Sequence, residues 1–199
     1  MNNASLSSQV PLHEFSRDVA SIAEINPLTG LLSSLGILLW CAAASICLFS
    51  AVALRRVESS DAYKFLLSSA LLSTYLLFDD FFMVHESLVP KYLGLSETVV
   101  FLVLGLAVSS YLIVFRSLIL RTNYLLLLLA IGLLAMSVAI DMIPSRWMWL
   151  ADYQAIVVED GAKWLGIVSW CSYYSHTSLH FLVGSVSQSN DATQSDART

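Results

Sequence analysis

The sequence predicts an all-α fold: a polytopic transmembrane bundle of five antiparallel spans, preceded by an amphipathic N-terminal helix. Three observations predict it. The 199 residues are 57% hydrophobic and 13% charged, against about 25% charged in ordinary soluble domains, and the mean hydropathy is +0.71. Several apolar segments each approach the roughly 20 residues needed to cross about 30 Å of hydrocarbon. The links between them are short, which favours antiparallel neighbours in an up-and-down bundle.

Residues 1–30 form the first element. Leu12, Phe15, Val19 and Ile22 recur at three- and four-residue spacing, with Glu14, Arg17 and Asp18 between them, the pattern of an amphipathic helix lying on a bilayer surface. Asn26 and Pro27 then break it. No basic stretch runs directly into an apolar one here, so no cleaved secretory signal is expected.

The membrane domain follows over residues 31–183, with spans at 31–54, 65–84, 99–115, 124–143 and 156–174. Backbone groups left unpaired in lipid are costly, so each span should be a helix. Cys41, Cys47 and Cys171 fall inside these spans without metal-ligand spacing and read as plain apolar-helix residues. Residues 184–199 are small and polar and predict a disordered tail. Arg55, Arg56 and Lys64 in the first link and Arg116 and Arg121 in the third outweigh Arg17, Lys91 and Arg146 on the other side. That bias predicts an outer N-terminus and a cytoplasmic C-terminus.

Alternating helices bring the end of the second span, the end of the fourth and the start of the fifth to one face. There Asp79, Asp80, His85 and Glu86 meet Asp141, Glu159, Asp160 and Lys163. On a continuous helix at about 100° per residue, Asp79 and Glu86 nearly superimpose, flanked by Asp80 and His85. Glu159 and Lys163 are spaced for an i,i+4 pair. They share a stripe with Gly166, where a neighbouring helix can approach closely, and with Trp170. Only Lys163, Arg146 from the adjoining loop and a neutral histidine oppose these carboxylates. Some of the acids must therefore bind protons, hold a cation or reach the headgroups. Asp, Glu and His together make Asp79, Asp80, His85, Glu86, Glu159 and Asp160 a candidate site for a divalent metal ion, with Lys163 as counter-charge.

His176 and His180 form an H-x3-H pair that can place two imidazoles on one helix face. It resembles the late-helix pair of membrane hydrolases of the alkaline-ceramidase and progestin-receptor-like superfamily. The chain departs from that pattern: no Ser-x3-His occurs before the end of the second span, and five spans are predicted rather than seven. From Glu159 to His176 a continuous helix runs about 25 Å, so the pair should leave the membrane at the face opposite the acids.

The paired motifs DD-x4-HE (Asp79, Asp80, His85, Glu86) and ED-x2-K-x2-G (Glu159, Asp160, Lys163, Gly166) resemble those of a family of small bacterial polytopic membrane proteins with no established activity. The resemblance spans residues 65–174 and implies that both motifs belong to one site in a bacterial inner (cell) membrane.

Three functions are open. The cluster can bind a divalent cation or protons, and a bound metal could activate water to hydrolyse a lipid-borne substrate. Alternatively, the chain is a non-enzymatic membrane subunit or scaffold held by a structural charge network. Proton- or ion-coupled transport would require an oligomer. The net charge of −5 and scattered Lys and Arg exclude a nucleic-acid surface. The expected partners are the lipid bilayer and a second copy or another membrane-complex subunit. No nucleophile elbow, phosphate loop or haem motif narrows the chemistry.

Overall fold

The four prolines, at positions 11, 27, 90 and 144, all lie outside the long apolar segments, which are therefore free of the residue that most disrupts a helix interior. The structure, a computed structural model, describes residues 19–55, 60–143 and 152–196. Its elements are helices α1 (Val19–Ile22), α2 (Leu31–Leu54), α3 (Ser60–Phe82), a π-helical turn (Val84–Leu88), α4 (Val89–Leu93), α5 (Glu97–Val114), α6 (Arg116–Ile119), α7 (Tyr124–Met142) and α8 (Asp152–Asp196). Of the amphipathic segment only Val19–Ile22 is described, as α1; Leu12, Glu14, Phe15, Arg17 and Asp18 lie outside the described residues, as do Arg56 and Arg146.

Among the described residues, four helices are long and apolar enough to cross a membrane: α2, α3 from Asp61, α5 and α7. Their outward faces expose large apolar side chains such as Phe49, Leu71, Leu106 and Leu125, as surfaces facing hydrocarbon would. The fifth predicted span, 156–174, lies within α8, which is not among those four. Glu159, Asp160 and Lys163 lower its apolar content. Its inward face also carries buried polar groups, among them Ser169, Tyr173, Tyr174, Thr177 and Ser178. Composition treats these as exposed polarity, whereas packing hides them.

Helix α8 is the hub, packed on one side against α7 and on another against α2, which in turn packs on α3. Ala43, Ala51 and Ala130 are fully buried and keep the helices close, around Trp40, Phe65, Leu66, Leu127, Ile167 and Trp170. At Gly166 an added Cβ would sit 2.8 Å from Leu134 Cγ and 3.2 Å from the Leu134 backbone nitrogen, so α7 lies directly against this position. Helix α5 buries only Val100 and Tyr111. Hydroxyls attach it to the rest: Tyr111 Oη lies 2.7 Å from Ser69 Oγ of α3 and 2.9 Å from Tyr174 Oη of α8. Trp170 Nε1 donates to Ser73 Oγ at 3.0 Å. Each of these pairs satisfies polar atoms that would be costly if buried alone.

Helix α8 continues through residue 184 to Asp196. Extending an existing helix adds one hydrogen bond per residue without a new nucleation cost. Low hydrophobicity rules out a core but not helical continuation.

Candidate functional site

Asp79 and Asp80 are neighbours in the last turn of α3, so on a helix their side chains diverge by about 100°. Asp80 turns into the bundle. Its Oδ1 lies 2.6 Å from Lys163 Nζ of α8, and its Oδ2 accepts a hydrogen bond from Trp40 Nε1 of α2 at 2.9 Å. One carboxylate thereby ties three helices together. The Asp80 side chain is 11% exposed and that of Lys163 39%.

Asp79 turns the other way and is buried. The helix that would have carried the chain straight on stops at Phe82, because Met83 adopts a left-handed backbone with φ 49° and ψ 50°. The π-helical turn that follows folds His85 back over the end of α3. His85 Nδ1 comes within 2.7 Å of Asp79 Oδ2, and the His85 backbone N–H donates to Asp79 Oδ1 at 3.2 Å. Phe101 of α5 covers the imidazole, with ring centroids 4.9 Å apart, and Glu86 Oε1 lies 3.5 Å from His85 Nε2. The hydrogen bond to Asp79 raises the imidazole pKa above its ordinary value. Burial opposes that rise, while the charges of Asp79 and Glu86 add to it.

Two expected pairings differ from this. Asp79 and Glu86 do not stack along one helix face, since the break at Met83 intervenes and Glu86 is exposed. Lys163 closes on Asp80 rather than on Glu159 one turn away; a partner on another helix can approach head-on, whereas an i,i+4 partner is held alongside. Glu159 is half-buried within electrostatic reach of Asp141, Asp160, Lys163 and Glu86. Asp141 and Asp160 are exposed. The two motifs therefore meet at one end of the bundle, divided into an Asp80–Lys163–Trp40 lock and an Asp79–His85 pair. His176 and His180 are exposed further along α8.

Among the described residues, no group of three or more His, Cys, Asp or Glu side chains is gathered closely enough to hold a metal ion. The inward carboxylates already face a lysine, a histidine and an indole. Sequence reasoning missed Trp40 and Phe101. Trp40 lies well inside α2, away from the interface where tryptophans usually gather, and that depth was the available signal. Phe101 carried none, being one apolar residue in an apolar run.

With that geometry in place, comparison with known proteins adds one match: residues 1–177 fit a family described as a domain of unknown function (DUF8692). No curated protein and no solved structure matches the chain.

Proposed function

The chain belongs to the DUF8692 family, and from that premise we propose that it is a five-span integral membrane protein whose acidic/His cluster binds protons. In this reading α8 supplies the fifth span, the cluster lies at the outer face of a bacterial cell membrane, and the C-terminus is cytoplasmic. The observation that carries it is the Asp79–His85 pair. A buried carboxylate lies 2.7 Å from Nδ1 and also holds the histidine's backbone N–H, so it orients the ring and stabilises the imidazolium when a proton arrives. Histidine ordinarily titrates near pH 6.5. The raised pKa of His85 puts its proton uptake within reach of ambient pH.

Histidine-selective NMR on the protein in nanodiscs tests this. The His85 midpoint should lie above the ordinary value and fall in Asp79→Asn. An unchanged midpoint in that variant would sink the proposal.

A structural charge network is favoured by a separate observation, the Asp80–Lys163–Trp40 lock. The two readings divide the cluster between them: Asp80 and Lys163 hold register while Asp79 and His85 exchange protons. A divalent-ion site, and with it a metal-dependent hydrolase acting on lipid-borne substrates, has less support because the inward carboxylates already have partners. Proton-coupled transport would need several copies around a shared path.

A further inference from the structure

Beside the lock lies a cavity of about 370 Å³, walled by the first turns of α2 (Gly30, Leu31, Leu32, Ser33) and by Asp160, Lys163 and Trp164 of α8, with Asp80 behind them. We propose that this cavity binds the headgroup of a zwitterionic phospholipid carrying a primary ammonium, with the phosphate against Lys163 and the start of α2 and the ammonium against Asp160.

The donors come from two independent sources. Lys163 carries three N–H donors, and Asp80 Oδ1 is its one ion-pair contact among the described residues. Two donors are thus left for a ligand, on a side chain 39% exposed. Helix α2 begins without a side-chain cap or an acidic residue in its first turn, so its first free N–H groups and the positive end of its dipole are available to an anion.

Charge selects the ligand. Lys163 already faces Asp80, and Asp160 lines the same cavity with no ion-pair partner among the described residues. A bare phosphate would add negative charge beside an unmatched carboxylate. A phosphoethanolamine headgroup brings its own cation for Asp160, and its N–H groups can donate to the carboxylate, which a choline methyl cannot. Leu28, Leu31, Leu32 and Leu35 are exposed around the cavity's α2 side and offer an apolar path for acyl chains. The inference is independent of whether His85 binds protons.

The test is native mass spectrometry of the intact protein in detergent with equimolar dioleoyl phosphatidylethanolamine, phosphatidylglycerol and phosphatidylcholine. One phosphatidylethanolamine per chain should be retained preferentially. Asp160→Asn should weaken its retention about tenfold, the effect of one lost charge-assisted contact, and Ser33→Trp, which fills the cavity, should abolish the preference. Both residues are exposed, and unchanged circular dichroism confirms that the variants fold. Glycerophosphoethanolamine should compete, whereas inorganic phosphate should not. Equal retention of the three lipids, persistence of the preference in either variant, or displacement by inorganic phosphate alone would overturn the proposal.

Discussion

Replacing Lys163 with methionine keeps most of the side chain's apolar length and removes its charge. Asp80 then loses the cation 2.6 Å from Oδ1 and, among the described residues, retains only the Trp40 indole at 2.9 Å from Oδ2. Stranding one member of a fully buried pair costs about 3–5 kcal/mol. The lysine is 39% exposed, so water already screens part of the attraction, and about 2–3 kcal/mol is the better expectation. Asp80→Asn should cost less, about 1–2 kcal/mol, because the stranded ammonium can extend to water on its flexible stem. The double variant should be more stable than the sum of the single losses implies, by at least about 1 kcal/mol, since neither charge then remains unpaired. Unfolding in mixed micelles, followed by far-ultraviolet circular dichroism across an SDS titration, measures all three. Additive losses, or single losses below about 0.5 kcal/mol, would refute the claim that this pair joins α3 to α8.

The remaining predictions concern the histidine, the helix contact and the break. His85 has a folded pKa above its unfolded value of about 6.5, so its contribution to stability is full below that value and is lost as pH rises through the folded pKa. The stability gap between wild type and His85→Ala, read from denaturation midpoints, should therefore narrow from pH 6 towards alkaline pH; a gap constant with pH would contradict the pairing. Gly166→Ala should cost about 1–3 kcal/mol by overpacking against Leu134. Gly161→Ala, which meets no atom within 4 Å, should be neutral or stabilising by up to about 1 kcal/mol in the same unfolding assay. Met83→Gly should relieve about 1 kcal/mol of left-handed backbone strain, raising the unfolding midpoint or leaving it unchanged as chain entropy offsets the gain; a marked loss would mean that the Met83 side chain itself holds the turn.

Much of the architecture could be read from residue order. The apolar runs coincide closely with α2, α5 and α7, since length and hydropathy are properties of consecutive residues. Helix α8 was harder to read. Its inward hydroxyls and aromatics look polar in a sequence average, yet they are buried and several are paired across helices, as Tyr174 is with Tyr111. Its continuation past residue 184 has no apolar pattern to mark it, because a helix needs no apolar partner to propagate.

The sequence by itself predicted that the acids at the end of α3 and the lysine of α8 arrive at one end of the bundle, where Asp80 and Lys163 meet, because alternating helix directions bring those ends together. It could not determine their partners. Those depend on the rotation of α2, α3 and α8 about their own axes, which brings Asp80 to Trp40 and Lys163, and on the left-handed residue Met83, which returns His85 to Asp79. Rotation is set by packing over whole helix faces and the break by local backbone conformation, and neither leaves a pattern in the spacing of the charged residues.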